Sequence, residues 1–588
     1  MSTAPAPGQA PLPAPNAAAM LRANADPAGH GDRPFVRFGE RVWTHAGFLA
    51  ESARWANLFL DRLPADGPRH VGVLLDNTPD YLFAFGGAAL AGATIVGLNH
   101  TRQGERLARD VEHTHVGLLV TEPRHLEALA PIAPGLGLDG DRLVVSRRFE
   151  DGEAVAAAGS APADAGVDLD GALAAVGADD PGLEPDVDTR WALIFTSGTT
   201  SAPKAVICTQ RRLLVTGNRM SMLLDIGPDD VGYIAMPLFH SNALMVGWAP
   251  ALVTGASVGL ARRFTASGWL PDVRRYGSTW FNYTGKPLAY VLATPEAPDD
   301  ADNPLRIAFG NEGSPEVVEG FARRFGLKVI DSFGATEGGV ALNRESGMPP
   351  GAMGRAGPEV HVVDEDGHDM AVARFDADGR LRNAEECVGE IVNTGGTGPF
   401  EGYYNNPEAT EATTKGGWYW SGDLGYLDEE RYLYFAGRNA DWIRVDGENF
   451  PAGPIQSAVA AHPDVVEAVV YGVPDESAGD QVMAALVLRP GATLDPAAFA
   501  AWVDALPDVG PKWRPRFVRL ADRLPSTGTN KVVTRTLVGQ KFRRDRVGDD
   551  ELWVRERGDA AYRPFTAEDE ADLRARFAAN GRDRFWDL

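Results

Sequence analysis

From about residue 34 onward, short apolar runs alternate with helical patterns, and this alternation constrains the fold more than any other feature of the chain. Residues 71–75 (VGVLL) read as a strand and 78–90 as a helix. Residues 94–98 read as a strand, 105–113 as a helix and 117–121 as another strand. This is the rhythm of a mostly parallel sheet with crossover helices. Two uncharged runs, 81–98 and 244–261, approach the length of a membrane span. Both are Gly- and Ala-rich and carry turn signals, Gly86-Gly87 and Thr254-Gly255-Ala256, so we expect buried helix–strand units. Residues 151–185, rich in Ala, Gly and Asp, read as a surface excursion.

One strand end carries more chemistry than the others. The apolar run 191–195 leads into FTSGTTSAPK (195–204), and a helical pattern follows from about 209 to 224. A Gly/Ser/Thr-rich turn between a strand and a helix offers backbone N–H groups, hydroxyls and one ammonium to a polyanion. It is not the common P-loop, because Lys204 lies between Pro203 and Ala205. Lysine usage sets it apart from a polar linker. The chain has only seven lysines, at 204, 286, 328, 415, 512, 531 and 541, and uses arginine elsewhere. A lysine in such a chain suits a site that needs a compact point charge.

At 588 residues the chain is too long for one core, and two domains or more are expected. A net charge of −25 argues against nucleic acid and against a broadly basic membrane-binding surface. Two cysteines, Cys208 and Cys387, allow no disulfide framework or metal spacing, which points to a reducing cytoplasm. Residues 1–33 begin Ala/Pro-rich, without the basic start and apolar core of a signal peptide, and read as a disordered lead-in.

Further strand ends add polar groups. MPLFHSNAL (236–244) places His240 between apolar segments, where a lone His most often serves packing. RIAFGNEGSPE (306–316) runs a strand into Asn311-Glu312-Gly313, with Ser314 and Pro315 as the start of a helix. KVIDSFGATEGG (328–339) repeats the pattern and presents Phe333, Gly334, Thr336 and Glu337. Several such ends in one α/β domain suggest a single ligand crevice at the strand termini. Residues 340–437 shift to short strands and turns, including GYYNNPEATEATT (402–414). Asp423 there either caps a turn or accepts hydrogen bonds from ribose hydroxyls, and Arg438 closes the section. From about 441 a small α+β domain follows, with strands at 465–473 and 481–488 and a helix capped by Asp495 and Pro496. RLPSTGTNKVVTRTL (523–537) echoes the first loop and ends in Lys531. The charged tail carries a helical pattern near 567–578 and is expected to pack back on the body.

Together TSGTTSAPK, MPLFH, FGATEGG, SGDLGY, GRNADWIRVDGENF and LPSTGTNK resemble the adenylate-forming superfamily over roughly residues 35–545. VGLNHTRQGERLARDVEHT (96–114), FGNEGSPE (309–316) and the tail resemble the branch of fatty-acid transport protein-like, very-long-chain and steroid-side-chain acyl-CoA synthetases. The resemblance implies a large α/β N-terminal domain (34–438) with mostly parallel sheets and a small β-rich subdomain. It also implies a small α+β C-terminal domain (439–545) that moves and carries a catalytic lysine, followed by a tail (546–588).

It further implies that a hydrophobic carboxylic acid, a long-chain fatty acid or a steroid side-chain acid, attacks the α-phosphate of ATP. The acyl-adenylate then passes to coenzyme A. Thr196, Ser197, Gly198, Thr199, Thr200 and Lys204 would hold the β- and γ-phosphates. Thr336 would meet the α-phosphate and Glu337 would hold Mg2+. Phe333, Gly334 and the turn Asn311, Glu312 and Gly313 would enclose adenine, with Asp423 and Arg438 on ribose. Lys531 would bridge carboxylate and α-phosphate. His240 would stand at the acyl pocket, and Gly447 and Glu448 would shape the CoA tunnel after domain rotation at the hinge, Ala440. Three positions depart from the family pattern. Ser201 and Ala205 replace Gly, which stiffens the loop; Ala440 replaces a hinge Asp or Lys; Phe333 replaces Tyr.

The expected partners are the acid, ATP and CoA, with no nucleic acid, no transmembrane span and a homodimer as the assembly to test. A ligase that delivers acyl-AMP to a carrier protein and a non-catalytic nucleotide binder are the alternatives. A transport ATPase lacks support, for want of a Walker motif.

Overall fold

A computed structural model describes residues 12–100, 102, 104–150, 166–196, 204–284, 287–311, 313, 315–344, 347–349, 351–376, 381–438, 442–445, 448–477, 480–506, 509–510, 512–526, 532–580 and 582–587. The βα rhythm builds two large sheets. In the first, the strands Val167–Asp168, Leu143–Val145, Leu118–Thr121, His70–Leu74, Thr94–Gly97 and Arg190–Phe195 run parallel in that spatial order, and Ala205–Thr209 closes the edge antiparallel. In the second, Lys328–Gly334, Ile307–Asn311, Trp280–Thr284, Val231–Ile234, Ser257–Leu260 and Pro34–Phe38 run parallel, with an antiparallel strand at each edge.

One apolar cluster joins the two sheets through the helices His45–Arg62, Pro79–Ala91 and Gln210–Leu224. A five-stranded antiparallel sheet follows, formed by Ala352–Arg355, Tyr432–Arg438, Tyr419–Leu427, Gly389–Asn393 and Val360–Val363. The C-terminal part holds the hairpin Trp442–Val445/Glu448–Pro451 and a second five-stranded sheet, Val465–Pro474, Asp480–Leu488, Phe517–Leu520, Glu551–Val554 and Arg563–Pro564. The fold is thus α/β with mostly parallel sheets and a β-rich section, plus a smaller α+β part. No helix among the described residues is long and apolar enough to cross a membrane.

The structure corrects four expectations. Residues 12–33 are not a disordered lead-in. They hold the helix Ala17–Ala25, capped by the Asn16 side chain, with Ala17, Ala18 and Leu21 buried in the main core. The Ala-rich text there is helix-forming text, because Ala has the highest helix propensity. Residues 167–174 are not surface excursion either: they add an edge strand and a helix that buries Leu169, Ala172 and Leu173.

Gly86-Gly87 is no turn. It sits inside the helix Pro79–Ala91, where a Cβ on Gly86 would lie 2.1 Å from Ser52 Oγ and one on Gly87 2.6 Å from Trp55 Cβ. The pair lets two helices cross closely. Gly255, by contrast, ends a helix with φ 73°, as its turn signal implied. Finally, the 195–204 loop does not feed a helix directly. The β-branched run of the strand Ala205–Thr209 pairs back on Arg190–Phe195 first, and the helix Gln210–Leu224 starts after it, capped by Thr209. Ala205 is therefore an extended residue paired with Phe195, and its side chain costs no backbone strain there.

Candidate active site

The loop 195–204 is closed at its neck by the Thr196 N–H, which donates to the Lys204 carbonyl at 3.0 Å. Ser197, Gly198, Thr199 and Thr200, with Ser201, lie outside the described residues. The Lys204 ammonium stands 5.4 Å from the Tyr403 ring centroid. The Tyr403 hydroxyl in turn donates to Glu337 Oε1 at 2.7 Å. Glu337 is 8% exposed, a buried carboxylate one side chain away from the loop lysine. Burial and the adjacent Glu337 charge push the Tyr403 hydroxyl far above its ordinary range, so it stays a donor.

Arg212 ties this turn to the loop. Its guanidinium, on the helix Gln210–Leu224, donates to the Ile207 carbonyl at 2.8 Å, to the Glu337 carbonyl at 3.0 Å and to the Thr336 carbonyl. The strand after the loop and the Thr336-Glu337 turn are thereby held together from behind. The Thr336 hydroxyl lies 2.9 Å from the Ser241 hydroxyl, which links the turn to the MPLFH segment.

That segment is clamped in its own way. Buried Asn77 donates from Nδ2 to the Met236 carbonyl and accepts the Leu238 N–H, both at 2.9 Å. Gly97 lets Phe239 approach so closely that a Cβ there would lie 3.0 Å from the Phe239 Cα. His240, the next residue, is thus carried on a fixed backbone. Asn242 donates to the Tyr283 carbonyl at 3.0 Å and accepts from Asn282 at 2.7 Å. The chain then enters a π-helix, Ala243–Trp248, a widened turn often found at functional sites.

Around the other wall, Asn311 ends the strand Ile307–Asn311. The Gly313 N–H and the Tyr283 hydroxyl both donate to Asp331 Oδ2 at 2.8 Å, fixing the turn that follows. Phe333 and Gly334 end the neighbouring strand, and the Phe333 ring centroid lies 6.2 Å from that of Phe435. Asp423 is buried and sits opposite Arg438 across adjacent strands.

Thr196, Lys204, His240, Asn311, Gly313, Phe333, Gly334, Thr336, Glu337 and Asp423 all line one cleft of about 4770 Å³. Its far wall includes Ala452, Ser457 and Ala461 and the stretch 532–536. The strand ends do converge, as the sequence implied. Arg438 and Glu448 lie on strands of the β-rich section and the C-terminal hairpin, and nothing is assigned to their side chains. Glu312, Ala440, Gly447 and Lys531 fall outside the described residues. Arg212, Tyr403, Ser241, Asn77 and Asp331 were not singled out from the sequence. Each acts through a partner remote in the chain, so no local pattern marks it.

Close by lies a separate buried network. His125 Nε2 stands 3.2 Å from Asp76 and 3.4 Å from Glu122, and Arg262 reaches Glu122 at 2.7 Å, with Arg124 also on Asp76. Asp76, His100 and His125 are near enough to hold a metal ion. The two guanidiniums already neutralise the two carboxylates, which makes this an ion-pair network. It supports the site through His100, whose ring packs edge-on against Phe239 at 5.3 Å.

With this geometry in hand, the relatives are informative. The AMP-binding enzyme profile matches residues 22–404, and the AMP-binding enzyme C-terminal domain matches residues 454–531. The chain is 45% identical over 559 residues to the steroid-22-oyl-CoA synthetase of Rhodococcus jostii (strain RHA1), covering 94% of this chain and 96% of that one. It is 43% identical over 506 residues to the medium/long-chain-fatty-acid–CoA ligase FadD17 of Mycobacterium tuberculosis (strain ATCC 25618 / H37Rv), covering 85% and 92%. The fold is that of an anthranilate CoA ligase solved with anthranoyl-AMP, with a TM-score of 0.74 at 20% identity over 89% of this chain and 96% of the other. The chain belongs to the AMP-binding enzymes, and among them to the acid–thiol ligases, which use ATP to join a carboxylic acid to CoA.

Proposed function

We propose that this ligase activates a large hydrophobic acid, a steroid bearing its carboxylate on the side chain, first to acyl-AMP and then to acyl-CoA. The observation that carries this reading is the 45% identity, over nearly the whole of both chains, to the Rhodococcus protein named steroid-22-oyl-CoA synthetase. Apolar cleft residues agree with it: Val215, Met220, Met245 and Val246 line the same cleft as His240 and Thr336. The 43% identity to ligases named for medium- and long-chain fatty acids favours such an acid as the second substrate class.

In the first step the carboxylate oxygen attacks the α-phosphorus and the bond to pyrophosphate breaks. Negative charge grows on the phosphoryl oxygens, so fixed donors and cations must converge there. We assign Thr196, Lys204 and residues 197–200 to the β- and γ-phosphates, and Thr336 to the α-phosphate. Asn311, Glu312, Gly313, Phe333 and Gly334 take adenine, and Asp423 and Arg438 take ribose. Lys531 supplies the cation that bridges carboxylate and phosphate.

Magnesium fits the donors present, because the buried Glu337 carboxylate and the paired Thr336 and Ser241 hydroxyls line the same cleft and are hard oxygen donors. When bound, the ion neutralises phosphate charge. In the second step the CoA thiol attacks the acyl carbonyl and AMP leaves. Residues 439–545, together with the strands Glu551–Val554 and Arg563–Pro564 that complete their sheet, turn about Ala440 relative to 34–438, withdrawing Lys531 and bringing Gly447 and Glu448 to the pantetheine path. Two buried free cysteines and the absence of a membrane-crossing helix among the described residues support a cytoplasmic enzyme. Light scattering tests for a homodimer.

The test is pyrophosphate release and thioester formation with ATP and Mg2+, using acids from acetate through palmitate to a steroid 22-carboxylic acid, with and without CoA. Thioester formed fastest on the steroid acid supports the proposal. Preference for palmitate moves the assignment to the second class. Pyrophosphate release without thioester would point to a carrier protein as acceptor.

A further inference from the structure

The helix Gln210–Leu224 and the strand Lys328–Gly334 are tied to each other at both ends. At one end Arg212 donates to the Thr336 and Glu337 carbonyls, just past the strand. At the other, Arg306 donates to the Leu224 carbonyl at 2.7 Å and to that of Asp225. The Lys328 N–H donates in turn to the Arg306 carbonyl at 3.0 Å. From Arg212 to Leu223 the helix rises about 16 Å, and from Gly334 to Lys328 the strand covers about 20 Å. The two elements therefore run side by side, in opposite directions, over a similar length.

Both elements line the cleft. Arg212, Thr216, Arg219 and Leu223 recur at helical spacing, flanked by Val215 and Met220, and all six face it. On the strand, Lys328, Ile330 and Ser332 share one face, because alternate residues point the same way. All three line the cleft, as do Phe309 and Asn311, their neighbours on the strand Ile307–Asn311, paired with Ile330 and Ser332. The result is a trough with the helix as a wall and the strand pair as a floor. Beside Thr336 it is polar, through Arg212, Asn311 and Ser332. Its middle is apolar, through Val215, Met220, Phe309 and Ile330. Its far end opens to solvent: Met222 and Leu223 are 65% and 44% exposed. There Lys328 stands exposed, with Arg219 one helical turn before Leu223. Among the described residues neither cation has a carboxylate partner, although a chain of net charge −25 supplies carboxylates in excess.

We infer that the acid lies lengthwise in this trough with its carboxylate toward Thr336, and that Lys328 and Arg219 select acids carrying a hydrogen-bond acceptor at the opposite end, such as a ketone on the terminal ring of a steroid. This rests on the steroid reading and on the place proposed there for Thr336. An ammonium and a guanidinium offer donors only, so a carbonyl oxygen arriving at the rim satisfies them and a hydrocarbon end does not. The rim is open, and a cation without such a partner stays hydrated. The discrimination is therefore that of one ordinary hydrogen bond, about fivefold in kcat/KM.

Two matched pairs of acids test it. The first is a steroid 22-carboxylic acid with a ketone on the ring farthest from the carboxylate, and the same acid with a methylene in place of the ketone. The second is the ω-hydroxy derivative of palmitate, and palmitate. Thioester formation with ATP, Mg2+ and CoA is measured for the full-length wild type, for the double variant Lys328→Met/Arg219→Met and for Lys328→Arg. The readout is the ratio of kcat/KM within each pair, which does not depend on how much protein folds. Wild type should prefer the ketone about fivefold. The double variant should bring the ratio within about twofold of one, and Lys328→Arg, which keeps a cationic donor, should retain the preference. A wild-type ratio near one, or a preference that survives in the double variant, overturns the inference, while turnover of the steroid acids leaves the parent reading standing. Turnover confined to the palmitate pair overturns the steroid reading, and the ratio within that pair then decides the inference by the same criteria. No thioester from any of the four acids overturns both.

Discussion

The Tyr403 hydroxyl donates a 2.7 Å hydrogen bond to the Glu337 carboxylate, and the two residues are 66 positions apart in the chain. This bond aims the carboxylate proposed to hold magnesium. Replacing Tyr403 with Phe keeps the ring, whose centroid packs 4.9 Å from that of Phe400, and removes only the donor. A hydrogen bond to a charged group contributes about 1.5–3 kcal/mol. Tyr403→Phe should therefore raise the KM for MgATP by roughly tenfold, with little change in melting temperature. Titrating Mg2+ at fixed ATP checks this, and an unchanged requirement would separate Tyr403 from the metal.

A second consequence concerns Asn77. Its side chain satisfies one buried carbonyl and one buried N–H of the segment before His240. Asn77→Ala leaves both unpaired, at a cost of about 2–4 kcal/mol in unfolding free energy. Asn77→Asp keeps the acceptor and loses the donor, so it should fall between. Urea denaturation of the two variants gives the order directly.

Stability should also depend on pH through His70. Its Nδ1 donates to the Thr114 carbonyl at 2.6 Å, which the neutral ring can do. Burial pushes its pKa down from 6.5 to about 4, against the opposing pull of that backbone bond. The unfolded chain takes up a proton near 6.5 and the folded one near 4. The His70 contribution is thus complete above about 6.5 and is lost as pH falls toward 4. Asp80 and Asp110, raised by burial to about 6, act with the opposite sign. The clean readout is a difference. Wild type and His70→Asn, whose amide can still donate, should diverge in the pH dependence of their melting temperatures between pH 7 and 5. Parallel curves would show that His70 does not titrate in this way.

Much of the site was legible because polar loops at strand ends recur with the βα period. FTSGTTSAPK, FGNEG and FGATEGG each announce a strand end, and the structure brings their described residues to one cleft. What escaped depends on partners distant in sequence. Arg212 looks like any helical arginine until the Thr336 and Glu337 carbonyls arrive beside it. Gly86-Gly87 carries the same letters as a turn, and only the crossing helix decides otherwise. The strand Ala205–Thr209 is short enough to pass for the approach to the helix that follows. The Ala-rich helix Ala17–Ala25 has few large side chains, so its burial rests on the surface it meets.

That first helix also carries a schedule. The Ala17 N–H reaches Gln210 Oε1 at 2.8 Å, across 193 positions of chain. At a synthesis rate of about 5–20 residues per second, the ribosome needs on the order of 10–40 seconds to deliver that partner. During that interval the helix can already pack on His45–Arg62 and Pro79–Ala91, which supply most of its neighbours. The helix Ala17–Ala25 can thus dock first on its neighbours in sequence, and the bond from Ala17 to Gln210 locks it only later.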